Sequence, residues 1–176
     1  MYDLLGDPRV TRTLMRERPA TLQEEEEWCK ESVSLPRQRS NEPPFYAFTI
    51  EQPHSSIAVG GLGLHQRAHP QQLEVGYWLG VPYWGYGLAT DAVRLAVHFA
   101  FRHLDAIRVS AYVFYGNTGS RRVLEKNHFH LDGALRCHVQ KRGEWKDEWF
   151  FTLLRSEWEA QKAWYHPKEE RVVPAP

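Results

Sequence analysis

The chain has little cysteine, no net charge and no long apolar run. Its 176 residues include only two cysteines, Cys29 and Cys137, which lie far apart and form no CxxC pair. We therefore expect no disulfide scaffold and no cysteine-rich zinc site, and a reducing cytoplasm as the location. Lys plus Arg and Asp plus Glu both total 22. This balance argues against a nucleic-acid partner bound by overall basic charge.

The sequence also shows no apolar segment typical of a membrane protein. The opening stretch MYDLLGDPRV lacks the apolar run of a signal peptide. No stretch approaches the roughly 18 apolar residues that a membrane-spanning helix needs, so we expect no membrane partner. Because no linker or internal repeat interrupts the chain, the sequence predicts one domain over residues 1–176, with 159–176 as a charged tail that begins in a short helix.

Apolar periodicity predicts helices and strands in turn. The first two predicted elements are helices over 2–15 and 22–33, and a capping box from Thr21 and Glu24 opens the second. A polar loop is expected over 36–44. The remaining segments are strands at 45–51, 57–65, 72–80 and 107–115, helices at 85–103 and 117–127, and a long hairpin from 128 to 155 with Gly143 at its turn.

A glycine-rich turn joins the 72–80 strand to the apolar helix after it. Gly85 and Gly87 stand where that helix begins. The first N–H groups of a helix lack intrahelical partners, the helix dipole adds positive potential there, and glycine lets a ligand approach the backbone. A pyrophosphate site is one interpretation, and a plain strand–helix turn is the other. The spacing is not GxGxxG, because Thr90 stands three residues after Gly87, and no Walker A Gly-Lys-Ser/Thr follows.

Four segments carry a resemblance to a known family. They are LLGDPRVTRTL, LEVGYWLGVPYWGYGLATDAV, NTGSRRVLEKNHF and DEWFFTLLRSEW. In this order they resemble the GNAT superfamily of acetyl-CoA-dependent N-acetyltransferases, in particular the RimJ/RimL type, over most of residues 2–158. The resemblance implies an α/β fold with a mixed, mostly antiparallel central sheet that is flanked by helices. It also implies that the sheet splays between the strands at 72–80 and 107–115 and holds acetyl-CoA there, without a metal.

The resemblance assigns roles to individual residues. Leu79 and Gly80 would run beside the pantetheine arm, and Asn117 would donate a hydrogen bond to it. Ser120 would lie near the thioester sulfur, where either Ser120 or solvent would return the proton to the thiolate. Glu74 would deprotonate the substrate amine, commonly through water. The backbone that would cradle the pyrophosphate, by similarity to the family motif Q/R-x-x-G-x-G/A, comes from the loop and the first helical turn: Trp84, Gly85, Tyr86, Gly87, Leu88, Ala89 and Thr90.

The chain departs from the family pattern at several positions. Trp84 stands where many members have Gln or Arg, and Tyr86 stands where a Lys is frequent. The tyrosine that serves many members as general acid, on the helix after Asn117, is Leu124 here. The glycine of the family's K-x-G-F motif is His128. The family's first strand, before the first helix, is missing, which suggests a shortened gene model or an unusual edge. The unpaired edge at 45–51 predicts either self-association, with a homodimer as the expected form, or marginal stability.

Several of these residues also fit plainer roles. Asn117 is equally suited to a helix N-cap, Glu74 to an exposed strand carboxylate, and Ser120 to a surface hydroxyl. His128 and His130 form an HxH pair, but no third metal ligand stands nearby in sequence.

The predicted activity is direct acetyl transfer to a primary amine, either a protein N-terminus or a small molecule. The alternatives are an acyl-CoA-binding module with weak or no catalysis, and a partner-binding subunit that holds a peptide in an aromatic groove.

Overall fold

The computed structural model describes residues 1–17, 20–32 and 45–161. Its strands are β1 (Phe45–Glu51), β2 (Ala58–Gln66), β3 (Gln72–Leu79), β4 (Arg108–Phe114), β5 (His130–Lys141) and β6 (Glu144–Leu154). Its helices are α1 (Tyr2–Leu5), α2 (Pro8–Thr11), α3 (Leu22–Ser32), α4 (Leu88–His103), α5 (Thr118–Lys126) and α6 (Arg155–Ala160), and a 3₁₀ turn spans Val81–Tyr83. The predicted loop at 36–44 and most of the predicted tail, 162–176, lie outside the described residues.

The strands form one sheet in the order β1-β2-β3-β4-β6-β5. Neighbouring strands are antiparallel except for β3 and β4, which are parallel. The mixed, mostly antiparallel sheet predicted from the sequence is thereby confirmed.

The core lies between this sheet and α4. The apolar stripe of α4 is buried because its period of 3.6 residues turns one face toward the sheet, where alternate strand side chains meet it. Trp158 of α6 also belongs to this core, and its ring stacks on that of Phe101 in α4 with centroids 5.4 Å apart. Fully buried members of this core include Val59, Leu64, Val93, Val97, Ala100, Val109, Leu124, Phe151 and Leu153.

The sheet splays between β3 and β4, as the resemblance implies. These strands pair over three positions only, from Gln72 opposite Arg108 to Glu74 opposite Ser110. Beyond Glu74, β3 stays paired with β2 as far as Leu79. In contrast, β4 stays paired with β6 as far as Phe114. The two halves of the sheet therefore diverge and leave a wedge between the ends of β3 and β4.

The N-terminal prediction of one helix over 2–15 is wrong. The structure has two single turns, α1 and α2, which are separated at Gly6 and Asp7. The Asp7 side chain accepts a hydrogen bond of 2.9 Å from the Arg9 backbone N–H, and Pro8 occupies the first position of α2. Proline has no N–H to continue the earlier helix, whereas an Asp cap followed by proline favours a new start.

The helix predicted over 85–103 begins only at Leu88, because Gly87 before it has a left-handed conformation with φ of 84°. Two other local predictions agree with the structure. The β5–β6 hairpin turns at Arg142 and Gly143, which both have positive φ, 52° and 80°. The capping box of α3 is present in a shifted form. Thr21 Oγ1 accepts from the Glu24 N–H at 3.1 Å, while the Glu24 carboxylate accepts from the N–H of Ala20 at 2.7 Å.

Candidate active site

The loop after β3 has its backbone open at both glycines. Gly85 and Gly87 have φ of 85° and 84°, and no atom lies within 4 Å of where a Cβ would stand at either residue. Gly87 is the N-cap of α4 and provides no side-chain cap. The first N–H groups of α4, from Leu88 to Thr90, therefore point out of the helix without a capping partner from Gly87. This geometry fits an anion held by backbone N–H groups at the positive end of a helix dipole.

Two residues at the end of β3 have structural partners that the sequence did not reveal. The Trp84 indole N–H donates to the Leu79 carbonyl oxygen at 2.8 Å and ties the loop to the strand. A Cβ at Gly80 would lie 2.7 Å from a methyl carbon of Leu4 in α1, and the Gly80 N–H donates to Val59 at 2.9 Å. The side chain of Tyr86 is 77% exposed. Contact of these residues with a coenzyme remains a prediction.

Asn117 caps α5, as one of its two predicted roles requires. Its Oδ1 accepts a hydrogen bond of 3.2 Å from the Ser120 N–H. At the other end of α5, Asn127 is buried and its Nδ2 donates to the Thr90 carbonyl oxygen at 3.0 Å. This second bond attaches the C-terminal end of α5 to the first turn of α4.

A tyrosine from β3 holds Ser120. The Tyr77 hydroxyl lies 2.8 Å from Ser120 Oγ and 3.2 Å from the Ser120 carbonyl oxygen. Burial raises the pKa of Tyr77 above its usual value, and the bond to Ser120 opposes this effect only in part. The predicted wedge serine is therefore fixed by a phenol 43 positions earlier in the chain.

Glu74 lies on the opposite face of the sheet from Tyr77, because neighbouring side chains of a strand alternate. Its side chain is 16% exposed, and Arg67 Nε donates to Oε2 at 2.7 Å. Arg67 Nη2 contacts the same oxygen. Burial raises the pKa of the Glu74 carboxyl, and the bond and charge of Arg67 offset that rise only in part. A largely buried carboxyl with a raised pKa is a candidate for proton transfer.

A second carboxylate, Glu148 of β6, lies near Glu74, and its charge raises the pKa of Glu74 further. Glu148 is buried, and its Oε2 lies 2.7 Å from Nδ1 of His138, whose ring stacks on Tyr112. His138 reaches this position because β5 bulges between Leu135 and Val139. The sequence alone did not predict this pair, and its one available signal was an acidic residue at a buried position of β6.

These groups line one groove of about 1680 Å³ that passes through the wedge. One wall comes from the N-terminal segment, which Lys141 holds by donating to the carbonyl oxygens of Thr11 and Leu14. The groove brings together Glu74, Leu79, Trp84, Gly85, Gly87, Leu88, Ala89, Thr90, Asn117 and Ser120 of the predicted site, whereas Gly80 and Tyr86 are not among its lining residues.

The predicted HxH pair gains no third ligand. Within residues 1–17, 20–32 and 45–161, no three His, Cys, Asp or Glu side chains cluster in a way that could hold a metal ion. His130 instead lies 3.3 Å from Glu157 of α6. His128 adopts φ of 61°, which explains why the family pattern favours glycine at its position.

Sequence comparison identifies the family. The profile of the acetyltransferase (GNAT) domain matches residues 1–130. This chain belongs to the GNAT acetyltransferase family. The relatives of this GNAT chain include the probable N-acetyltransferase YjcK of Bacillus subtilis (strain 168), which is 38% identical over 62% of the chain and 61% of YjcK. The putative ribosomal N-acetyltransferase YdaF of the same organism is 34% identical over 52% of the chain and 50% of YdaF.

The matched stretches thus span less than two thirds of both relatives. A crystal structure of a GNAT-family acetyltransferase from Bacillus anthracis resembles this GNAT chain with a TM-score of 0.78 at 20% identity, covering 89% of this chain and 88% of that one. This likeness supports the GNAT fold. In the described part of the chain, no helix is both long and apolar enough to cross a membrane.

Proposed function

We propose that this GNAT chain transfers an acetyl group from acetyl-CoA directly to a primary amine, as a cytoplasmic enzyme. The observation that carries the proposal is the wedge between β3 and β4, which has Glu74 on one face of the sheet and Ser120 on the other. An amine that enters from the Glu74 face would meet an acyl group that is held from the Ser120 face.

The residues of the wedge fit the coenzyme. The space at Gly85 and Gly87, which any side chain would occupy, suits a pyrophosphate held by the N–H groups of Leu88 to Thr90. Asn117 Oδ1 accepts the capping hydrogen bond of α5, so the Nδ2 of Asn117 is the group that would donate to the pantetheine arm. Arg122 also lines the groove and would add positive charge near a phosphate. Acetyl-CoA supplies an acetyl group activated as a thioester.

The proposed role of Glu74 is to take the proton from the acceptor. A primary amine with a pKa near about 8–10 is mostly protonated at neutral pH and must lose a proton before it attacks. Both contacts from Arg67 go to Oε2, so Oε1 is the oxygen proposed to accept that proton. Because burial raises the Glu74 pKa, the carboxylate holds a proton more readily than an exposed one.

The first prediction is that Glu74→Gln lowers kcat by about 10²–10⁴-fold and leaves acetyl-CoA affinity unchanged. Removing the base abolishes the part of the pH–rate profile that rises through the Glu74 pKa, and the remaining defect shrinks at high pH as free amine accumulates. Binding is measured by calorimetry and turnover by thiol release. Glu51→Gln, an exposed change on β1, is the matched control.

The melting temperature separates loss of the base from misfolding. A carboxyl whose pKa is raised on folding binds more protons in the native state, so its ionisation at neutral pH opposes folding. Glu74→Gln is therefore expected to raise the melting temperature at neutral pH. A wild-type kcat in this variant would show that another group takes the proton. Binding of acetyl-CoA by the wild-type protein without turnover of any amine would instead favour the acyl-CoA-binding alternative.

For the acceptor, we propose a protein N-terminus or a small amine. The name of YdaF supports the first class. A panel of N-terminal peptides, polyamines, amino acids and aminoglycosides, compared by kcat/KM, distinguishes these classes.

A further inference from the structure

The contact between Tyr77 and Ser120 joins the two sides of the wedge. Tyr77 belongs to β3 and Ser120 to the first turn of α5. The Tyr77 hydroxyl oxygen lies 2.8 Å from Ser120 Oγ and 3.2 Å from the Ser120 carbonyl oxygen. Asn117 Oδ1 accepts a hydrogen bond of 3.2 Å from the Ser120 N–H. The serine therefore has both its backbone and its hydroxyl held by named partners.

The phenol has one proton for these two acceptors. If the Tyr77 proton points to the Ser120 carbonyl oxygen, the Ser120 hydroxyl must donate its own proton to the Tyr77 hydroxyl oxygen. If it lies toward Oγ, which is the shorter contact, the Ser120 proton is free to point elsewhere. The direction of one hydrogen bond thus decides whether Ser120 can donate into the wedge.

We propose that Tyr77 is a positioning residue that donates to Ser120 Oγ and so directs the Ser120 proton at the sulfur of the bound coenzyme. The proposal rests on the proposed function. In the transfer, the amine nitrogen forms the C–N bond, the C–S bond breaks, and its electron pair stays on sulfur. The protonated amine gives its first proton to Glu74, which releases it to solvent, and the nitrogen loses its second proton to water as the amide forms. The Ser120 hydroxyl donates a hydrogen bond to the departing thiolate, and water returns a proton to that sulfur.

The surroundings suit a donor that keeps its proton. Burial raises the pKa of Tyr77, so the phenol remains protonated at neutral pH and acts through its hydrogen bond. A hydrogen bond from Tyr77 to Oγ also polarises the Ser120 hydroxyl and strengthens its own donation. The α5 position where many GNAT members carry a tyrosine is Leu124, which is fully buried. In this chain the phenol at the wedge comes from β3 instead.

The second prediction uses ionisation of the coenzyme thiol, which needs no turnover. Free CoA is bound to wild-type protein, Tyr77→Phe and Ser120→Ala, and the thiolate absorbance is titrated against pH. A hydrogen bond to the thiolate lowers the thiol pKa, so we expect it to be about one pH unit higher in both variants than in wild type. Tyr46→Phe, which removes a hydroxyl from β1 where Tyr46 packs against Phe99, is the control and should match wild type.

Kinetics provide a second readout. Tyr77→Phe should lower kcat about tenfold, with KM for acetyl-CoA unchanged. The double variant with Ser120→Ala should be no slower than Ser120→Ala alone, because the two residues act as one unit. A purely structural Tyr77 would move α5, and with it Asn117, so Tyr77→Phe would raise KM and leave kcat unchanged.

A raised KM with an unchanged kcat in Tyr77→Phe would overturn this inference and leave the proposed function standing. Equal thiol pKa values in wild type and Tyr77→Phe, with CoA bound to both, would do the same. Failure of the wild-type protein to bind CoA would overturn the proposed function, and the inference with it.

Discussion

At the scale of single residues, glycine is required where the backbone adopts a left-handed conformation beside the wedge. Gly87 combines φ of 84° with empty space at its missing Cβ. A β-branched residue at such a φ is strained by about 1–3 kcal/mol, and its side chain would also fill the proposed phosphate position.

The third prediction is that Gly87→Val abolishes acetyl-CoA binding while the protein remains folded. Gly143→Val is the matched control, because Gly143 also has positive φ, 80°, and open space but lies at the β5–β6 turn. Both variants should lose similar stability in urea titrations, and only Gly87→Val should lose binding in calorimetry. If the folded Gly87→Val protein binds like wild type, the pyrophosphate lies elsewhere.

Charge at the residue scale depends on burial as much as on residue type. Partial desolvation and the nearby Arg67 lower the pKa of His65, although the residue remains exposed at the surface, and both effects favour the neutral imidazole. Glu74 lies opposite His65 in the β2–β3 pairing and its pKa moves upward. Desolvation disfavours the charged form of both groups, which is why the pKa of the base moves down and the pKa of the acid moves up.

At the scale of elements, β1 forms an edge of the sheet. It pairs with β2 on one side, and within the described residues no strand pairs with its other side. Exposed strand edges offer N–H and C=O groups to another chain. This observation keeps the homodimer as a proposal.

The fourth prediction is that the purified protein self-associates through β1 and that Thr49→Lys weakens this association. Thr49 is exposed near the middle of β1, and a lysine on an edge strand disfavours edge-to-edge pairing. Sedimentation equilibrium at several concentrations measures the effect, with Thr49→Ser as the control that adds no charge. A monomer at all concentrations would contradict the proposal.

At the scale of the whole molecule, the two halves of the sheet are joined weakly at the wedge. The three paired positions between β3 and β4 contrast with the seven between β4 and β6. A coenzyme in the wedge would contact both halves and add contacts across the weakest join. Ligand binding to the native state alone stabilises a protein by mass action.

The fifth prediction is that acetyl-CoA at 100 times its Kd raises the melting temperature by about 5–10 °C. This follows from about 2.7 kcal/mol of stabilisation and about 2–4 °C per kcal/mol for a chain of this size. Thermal unfolding with and without ligand measures the shift. Gly87→Val should show none. An equal shift in that variant would mean that the stabilising ligand binds outside the wedge.

Prediction from sequence worked best where short-range rules decide the structure. The hairpin turn at Gly143, the Asn117 cap and the alternation of β3 all depend on residues within a few positions of each other. The prediction of a single N-terminal helix was wrong for a local reason as well. The signal for a new helix start at Asp7 and Pro8 was present in the sequence, but the apolar pattern was given more weight. The splay itself came from the family resemblance, since nothing in β3 or β4 alone says where two strands part.

The sequence by itself determined most of the elements, the glycine loop and the family, because periodicity, capping and positive φ are set by neighbours along the chain. Only the tertiary structure decided which side chains meet. Tyr77 reaches Ser120, Arg67 binds Glu74, and His138 pairs with Glu148 through strand order, register and a bulge in β5. These contacts depend on how the strands assemble, and assembly also determines the burial that shifts the pKa values of Glu74 and Tyr77.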